Sequence, residues 1–111
     1  MMDEKTYRLL VKQAYQKVED AFEAIDPDVA EVEPGQGTLS ILSSKGKIIL
    51  STQPSVRQLW LAVAAKGVAI HFNWDEAGKR WVDDKQGDKE LYSFLETTLR
   101  DLQPGLESFS F

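Results

Sequence analysis

The sequence predicts an α+β fold: a two-layer sandwich in which an antiparallel β-sheet carries the first and last helices on one of its faces. Three observations predict it. The first 25 residues repeat apolar side chains at three- and four-residue spacing, and the middle breaks into short β-branched segments cut by turn residues. Residues 91–102 then return to the helical period. With 111 residues and no internal repeat, linker or low-complexity tract, the chain is expected to form a single domain over residues 1–111.

The first helix is expected from Asp3 to about Ile25. Tyr7, Leu10, Val11, Ala14, Tyr15, Val18, Ala21, Phe22 and Ile25 form its apolar stripe, and Asp3 supplies a capping carboxylate. Pro27 disfavours helical geometry at Asp26, which sets the expected stop there. Strands follow at about 29–33, 37–43, 47–52, 57–65, 68–74 and 80–84. They are separated by Pro34-Gly35, Lys45-Gly46, Gln53-Pro54, Lys66-Gly67 and Ala77-Gly78, the pattern of a meander. Asp88 precedes the second amphipathic helix, Leu91, Tyr92, Phe94, Leu95, Thr98, Leu99 and Leu102, which ends before Pro104-Gly105. Leu106 to Phe111 is expected to lay apolar groups over a helix or groove. With both helices on one face, the other sheet face is left open as a rigid docking surface.

Composition removes several chemistries. There is no cysteine, hence no disulfide framework, thiolate metal site or Cys nucleophile, and one histidine, His71, cannot build a multi-histidine zinc centre. No apolar run approaches the roughly 20 residues needed to span a bilayer, and Met1 to Arg8 is charged, so the expectation is a cytoplasmic protein without membrane partners.

The net charge of −5 is confined to one end. Residues 1–33 hold nine acids against four bases, and residues 34–111 hold nine of each. Glu19, Asp20, Glu23, Asp26, Asp28, Glu31 and Glu33 are uninterrupted by any base, which argues against a nucleic-acid partner. On a helix, Glu19 with Glu23, Asp20 with Glu23, and Glu23 with Asp26 are neighbours. Each such pair costs about 0.2–0.5 kcal/mol, and acids in the last turns oppose the helix dipole by a further ~0.3–1 kcal/mol. The strip reads either as a solvated face that maintains solubility or as a weak, exposed, poorly selective ridge for hard cations.

A second constellation is Gln53-Pro54-Ser55-Val56-Arg57-Gln58-Leu59-Trp60-Leu61. Every position from Leu59 to Ala65 is apolar, so Trp60 reads either as core or as outward. If Leu59, Leu61 and Val63 fill the inward places, Gln58 and Trp60 face out, and a Trp beside Arg57 and glutamines has the composition of an interface hot spot. His71 lies in an alternating strand and is expected on the same outward face. No nucleophile partner is recognisable for it, so an exposed polar contact is preferred to a catalytic base.

Thr38-Leu39, Lys47-Ile48-Ile49-Leu50, Gln53, Gln58-Leu59-Trp60-Leu61, His71-Phe72-Asn73 and Trp81-Val82, followed by Gly87 and a helix, resemble the frataxin family, most closely its bacterial CyaY-type members. Order and spacing agree over about residues 37–87. Three features depart from the family pattern: Ser51 replaces a usual Asn, Pro54 falls one residue early, and Asp75 to Lys79 makes a longer hairpin.

The resemblance implies a frataxin-like sandwich and ferrous or ferric iron held weakly at Glu19, Asp20, Glu23, Asp26, Asp28, Glu31 and Glu33, where other divalent cations can substitute. It also implies docking on a cysteine desulfurase and an iron–sulfur scaffold protein through Gln53, Gln58 and Trp60, together with Ser51 and His71. Arg57 joins this partner-binding set from its place beside Trp60. The function expected is a non-enzymatic, iron-binding donor or regulator of iron–sulfur cluster assembly, monomeric unless iron is in excess. The alternative is an iron-oxidising, iron-storing oligomer with weak ferroxidase activity.

Overall fold

The computed structural model describes residues 2–111. Helix α1 (Glu4–Phe22) leads into strands β1 (Ala30–Pro34), β2 (Thr38–Ser43), β3 (Gly46–Gln53), β4 (Gln58–Val63), β5 (Val68–Asp75) and β6 (Arg80–Asp83), and helix α2 (Leu91–Leu102) follows. The strands form one sheet in chain order, each antiparallel to the next. Short 3₁₀ turns at Pro54–Val56 and Ala64–Lys66 join β3 to β4 and β4 to β5. This is the expected two-layer architecture.

Period-two alternation decides the layers. Leu39, Ile41, Ile48, Leu50, Leu59, Leu61, Val63, Phe72 and Trp81 are buried on one sheet face. Over them lie Tyr7, Val11, Ala14, Val18 and Phe22 of α1 and Leu91, Leu95 and Leu99 of α2. Residues 106–111 complete the helical layer. Phe109 packs on Phe22 with ring centroids 5.1 Å apart, and Arg100 Nε donates to the Phe109 carbonyl at 2.6 Å. The Tyr7 hydroxyl donates to the Gln58 carbonyl at 2.6 Å and accepts the Gln53 N–H at 3.1 Å, so α1 pins the turn between β3 and β4.

One helix boundary differs from the sequence expectation. Helix α1 ends at Phe22, short of Ile25, because the chain tightens through Glu23 N–H to Asp20 O and Ile25 N–H to Phe22 O. Asp26 then organises the turn around Pro27. Its Oδ1 accepts the Asp28 N–H at 2.9 Å, while its carbonyl accepts those of Val29 and Ala30. Helix α2 spans the expected residues, and its cap is Glu90, whose carboxylate accepts the Tyr92 N–H at 2.8 Å and the Ser93 N–H at 3.0 Å. The loop after β6 brings Glu90 to the helix start, where Val82 bridges to it.

That loop is itself built on one carboxylate. Asp83 is only 7% exposed, and it accepts N–H groups from Lys85 at 3.1 Å, Gln86 at 2.9 Å and Lys89 at 2.7 Å. These donors, Gln86 first and Lys89 next, hold its pKa well below the usual carboxylate range. A depressed folded-state pKa stabilises above the unfolded value, and the contribution is lost as pH falls toward the folded one. Asp83→Asn is therefore expected to lower stability at pH 7 by urea denaturation, with the gap to wild type narrowing below about pH 4, where an unfolded Asp takes up its proton. An equal gap at pH 7 and pH 3 would show that the Asp83 charge does not anchor the loop.

Candidate functional site

The acidic residues end up around one corner of the sandwich. Glu19 and Asp20 lie in the last turn of α1, Glu23 caps it, Asp26 and Asp28 occupy the turn, and Glu31 and Glu33 lie on the edge strand β1. All are exposed except Glu19, which is half-buried. Alternation in β1 puts Ala30 and Val32 toward the core, so Glu31 and Glu33 point away from the helices and the strip wraps the sheet edge. Glu19, Glu23 and Glu31 line a common groove of about 450 Å³ floored by Phe22, Ile25 and Val32. Asp20, Asp26, Asp28 and Glu33 lie outside it.

The chemistry of this corner is that of an open surface. Among the described residues no three carboxylates converge into a ligand set that encloses a metal. None of the ion pairs among the described residues involves a carboxylate of the strip. Asp20 accepts a hydrogen bond from Gln16 Nε2 at 2.8 Å, a neutral partner. Such a surface suits a loosely held, hydrated cation or a cationic protein face, not a resident metal.

The open sheet face carries the second set. Register places Thr38, Ser51, Trp60 and His71 in one row across β2 to β5, and Gln53, Gln58, Asn73 and Val82 in a parallel row. Trp60 is half-buried and outward. Its ring stacks on His71 with centroids 4.1 Å apart and planes 11° from parallel. Trp60 Nε1 donates to Gln58 Oε1 at 2.8 Å, and Gln58 Nε2 donates to Asn73 Oδ1 at 3.0 Å and to Asp84 Oδ2 at 3.2 Å. The same Asp84 oxygen lies 3.4 Å from His71 Nδ1. A platform whose side chains are already ordered loses less rotamer entropy on binding a partner.

Asn73 and Asp84 did not emerge as site residues from the sequence. Asn73 was within reach, lying two residues from His71 on an alternating strand; Asp84 follows β6 and meets His71 only through tertiary structure. Arg57 is a correction. It does not flank Trp60 on the open face: it adopts a left-handed conformation, φ 55°, after the 3₁₀ turn. Its side chain turns back to the Met2 carbonyl at 3.3 Å, to the Pro54 carbonyl, and over the Tyr7 ring. The longer hairpin is closed by its own charges, with Lys79 on Glu76, Arg80 on Asp75 and Trp74 Nε1 donating to Glu76.

Comparison with known proteins places these surfaces in context. The family model described as Frataxin-like domain matches residues 1–104. The iron-sulfur cluster assembly protein CyaY of Azotobacter vinelandii is 39% identical over 107 residues, covering 96% of this chain and 94% of its own. That of Pseudomonas aeruginosa is 42% identical over 84 residues, 75% of each chain. Among solved structures, the frataxin of Psychromonas ingrahamii superposes with a TM-score of 0.78 at 25% identity, covering 90% of both chains. Trimeric frataxin of the yeast Saccharomyces cerevisiae gives 0.67 at 20% identity over 92% of this chain and 80% of its own, a likeness of fold.

The two outward and inward tryptophans give a direct test of the face assignment. Trp60→Ala loses a half-buried stack and is expected to cost less than about 2 kcal/mol. Trp81→Ala, which empties a site 1% exposed, is expected to cost about 3–5 kcal/mol. Guanidinium unfolding of both variants checks this, and comparable losses would mean that Trp60 is core.

Proposed function

This chain belongs to the frataxin-like family, and from that premise we propose that it takes part in iron–sulfur cluster assembly as an iron-binding accessory protein rather than a classical enzyme. Ferrous iron is its cargo, gathered along Glu19, Asp20, Glu23, Asp26, Asp28, Glu31 and Glu33. The same carboxylates grip a basic surface of the cysteine desulfurase, so iron and desulfurase compete for them. Ser51, Gln53, Gln58, Trp60 and His71 meet the scaffold protein.

One observation carries this reading. Seven carboxylates cluster at one corner with no cation of the chain paired to any of them among the described residues. A solvated face needs charge, but it does not need charge of one sign concentrated on a helix end whose dipole opposes it.

Reversal of Glu19, Asp20 and Glu23 to lysine tests it. Stability is expected to stay level or rise by up to about 1 kcal/mol, because the lysines suit the helix C-terminus. Anaerobic ferrous titration of the wild type is expected to perturb NMR signals of residues 18–33 first. The triple variant is expected to lose that response and to bind the desulfurase about tenfold more weakly. Undiminished iron response and desulfurase binding would reduce the ridge to a solvated surface. Oxygen uptake with iron-driven oligomers would instead favour iron oxidation and storage. Reconstituted cluster assembly at fixed ferrous concentration, with and without the protein, reads the outcome for function.

A further inference from the structure

The outer face of α1 is electrically divided. Lys5, Arg8, Leu9 and Lys12 follow one another at three- and four-residue steps in its first half, and Gln16, Glu19, Asp20 and Glu23 continue the same stripe. All are exposed except Glu19, which is half-buried. The surface hollow along the first half is lined by Lys5, Thr6, Arg8, Leu9 and Lys12, with no acid. The groove beside the second half is lined by Glu19, Glu23 and Glu31 over an apolar floor, with no base.

The acids at the helix start are engaged locally: Asp3 accepts the Thr6 N–H as the cap, and Glu4 pairs with Arg8 at 2.5 Å. Lys5 and Lys12 make no ion pair among the described residues. The helix dipole explains neither half of the stripe, since it favours acids at the start of a helix and bases at its end. Leu9 adds an apolar group to the basic half. It is 56% exposed, and among the described residues only Val56 is a comparably bare large apolar side chain.

We propose that a second copy of this chain docks on the face, its α1 antiparallel to the first across a two-fold axis at the middle of the helix. The charge pattern selects this occupant. Reversal about position 14 sets Lys5 against the second copy's Glu23, Arg8 against its Asp20, Leu9 against its Glu19 and Lys12 against its Gln16. Two-fold symmetry repeats each contact, and no like charges meet. A parallel pairing would stack cations on cations and acids on acids. Leu9 comes to the wall of the groove floored by Phe22 and Ile25. Exposed ion pairs contribute little singly, so the dimer is weak and sensitive to salt. No metal takes part, and the pairing holds or fails whether or not the ridge gathers iron.

The experiment uses the ¹⁵N-labelled full chain with a chelator, at about 1 mM protein, where so small a contact becomes visible. Sedimentation is expected to show a dimer in about 20 mM salt that weakens at least about tenfold in about 500 mM. Dilution should shift signals of Lys5, Leu9 and Lys12 together with those of Gln16, Glu19 and Glu23. Lys5→Glu with Arg8→Glu should abolish the dimer, and so should Asp20→Lys with Glu23→Lys. Mixing the two double variants restores opposite signs at every contact and should restore association. A monomer at about 1 mM in low salt, a dimer that survives either double variant, or a mixture that stays monomeric would overturn the proposal. So would dilution shifts confined to the open sheet face. A chain that stays monomeric while Lys5 to Lys12 respond to phosphatidylglycerol vesicles would assign the basic half to an anionic membrane surface instead.

Discussion

Burial of one sheet face by two helices is the constraint from which the remaining features follow. Leu39, Leu50, Leu59 and Phe72 are fully inaccessible, and each sits on a strand whose next residue must then point to water. That alternation spends the apolar content of the chain on one side. What remains on the other side, Ser51, Gln58, Trp60, His71 and Asn73, is not a core in waiting but a surface held flat by the core beneath it. Tyr7 links the layers at the point that matters most for this surface, since its hydroxyl fixes both Gln53 and Gln58 through their backbones.

Electrostatics is arranged around this frame, not distributed over it. Where structure needs a carboxylate, it is satisfied locally: Asp3 caps α1, Asp83 organises the loop after β6, and Glu90 caps α2. The strip from Glu19 to Glu33 contains one such structural acid, Asp26, and the others have no cationic partner in the chain among the described residues. Local repulsion is tolerated because the carboxylates, all exposed but half-buried Glu19, remain open to water.

The sheet's two edges express the same economy. Pairing in chain order leaves β1 and β6 outermost, and the four residues of β6 cannot shield the eight of β5. The acidic corner lies at one edge, and the Lys85–Lys89 loop lies at the other. The ordered aromatic platform of Trp60 and His71 lies between these two edges.

Sequence alone determined the fold class, the strand order implied by a meander and the outward place of His71 on β5, because period-two and helical spacing are local properties that burial then obeys; that Trp60 faces out and not into the core was left to the tertiary structure. It also determined that the acids crowd one end. Tertiary structure decided what spacing cannot encode. Helix α1 stops at Phe22 because the Glu23 and Ile25 N–H groups turn to carbonyls three residues back. Glu90 caps α2 because the loop after β6 delivers it there. Arg57 leaves the open face because a left-handed residue after Pro54 turns its side chain toward α1. Asp84 joins His71 although thirteen positions separate them in sequence. Contacts between residues distant in the chain are set by how the strands register and how the loops close, and neither leaves a period in the sequence to be read.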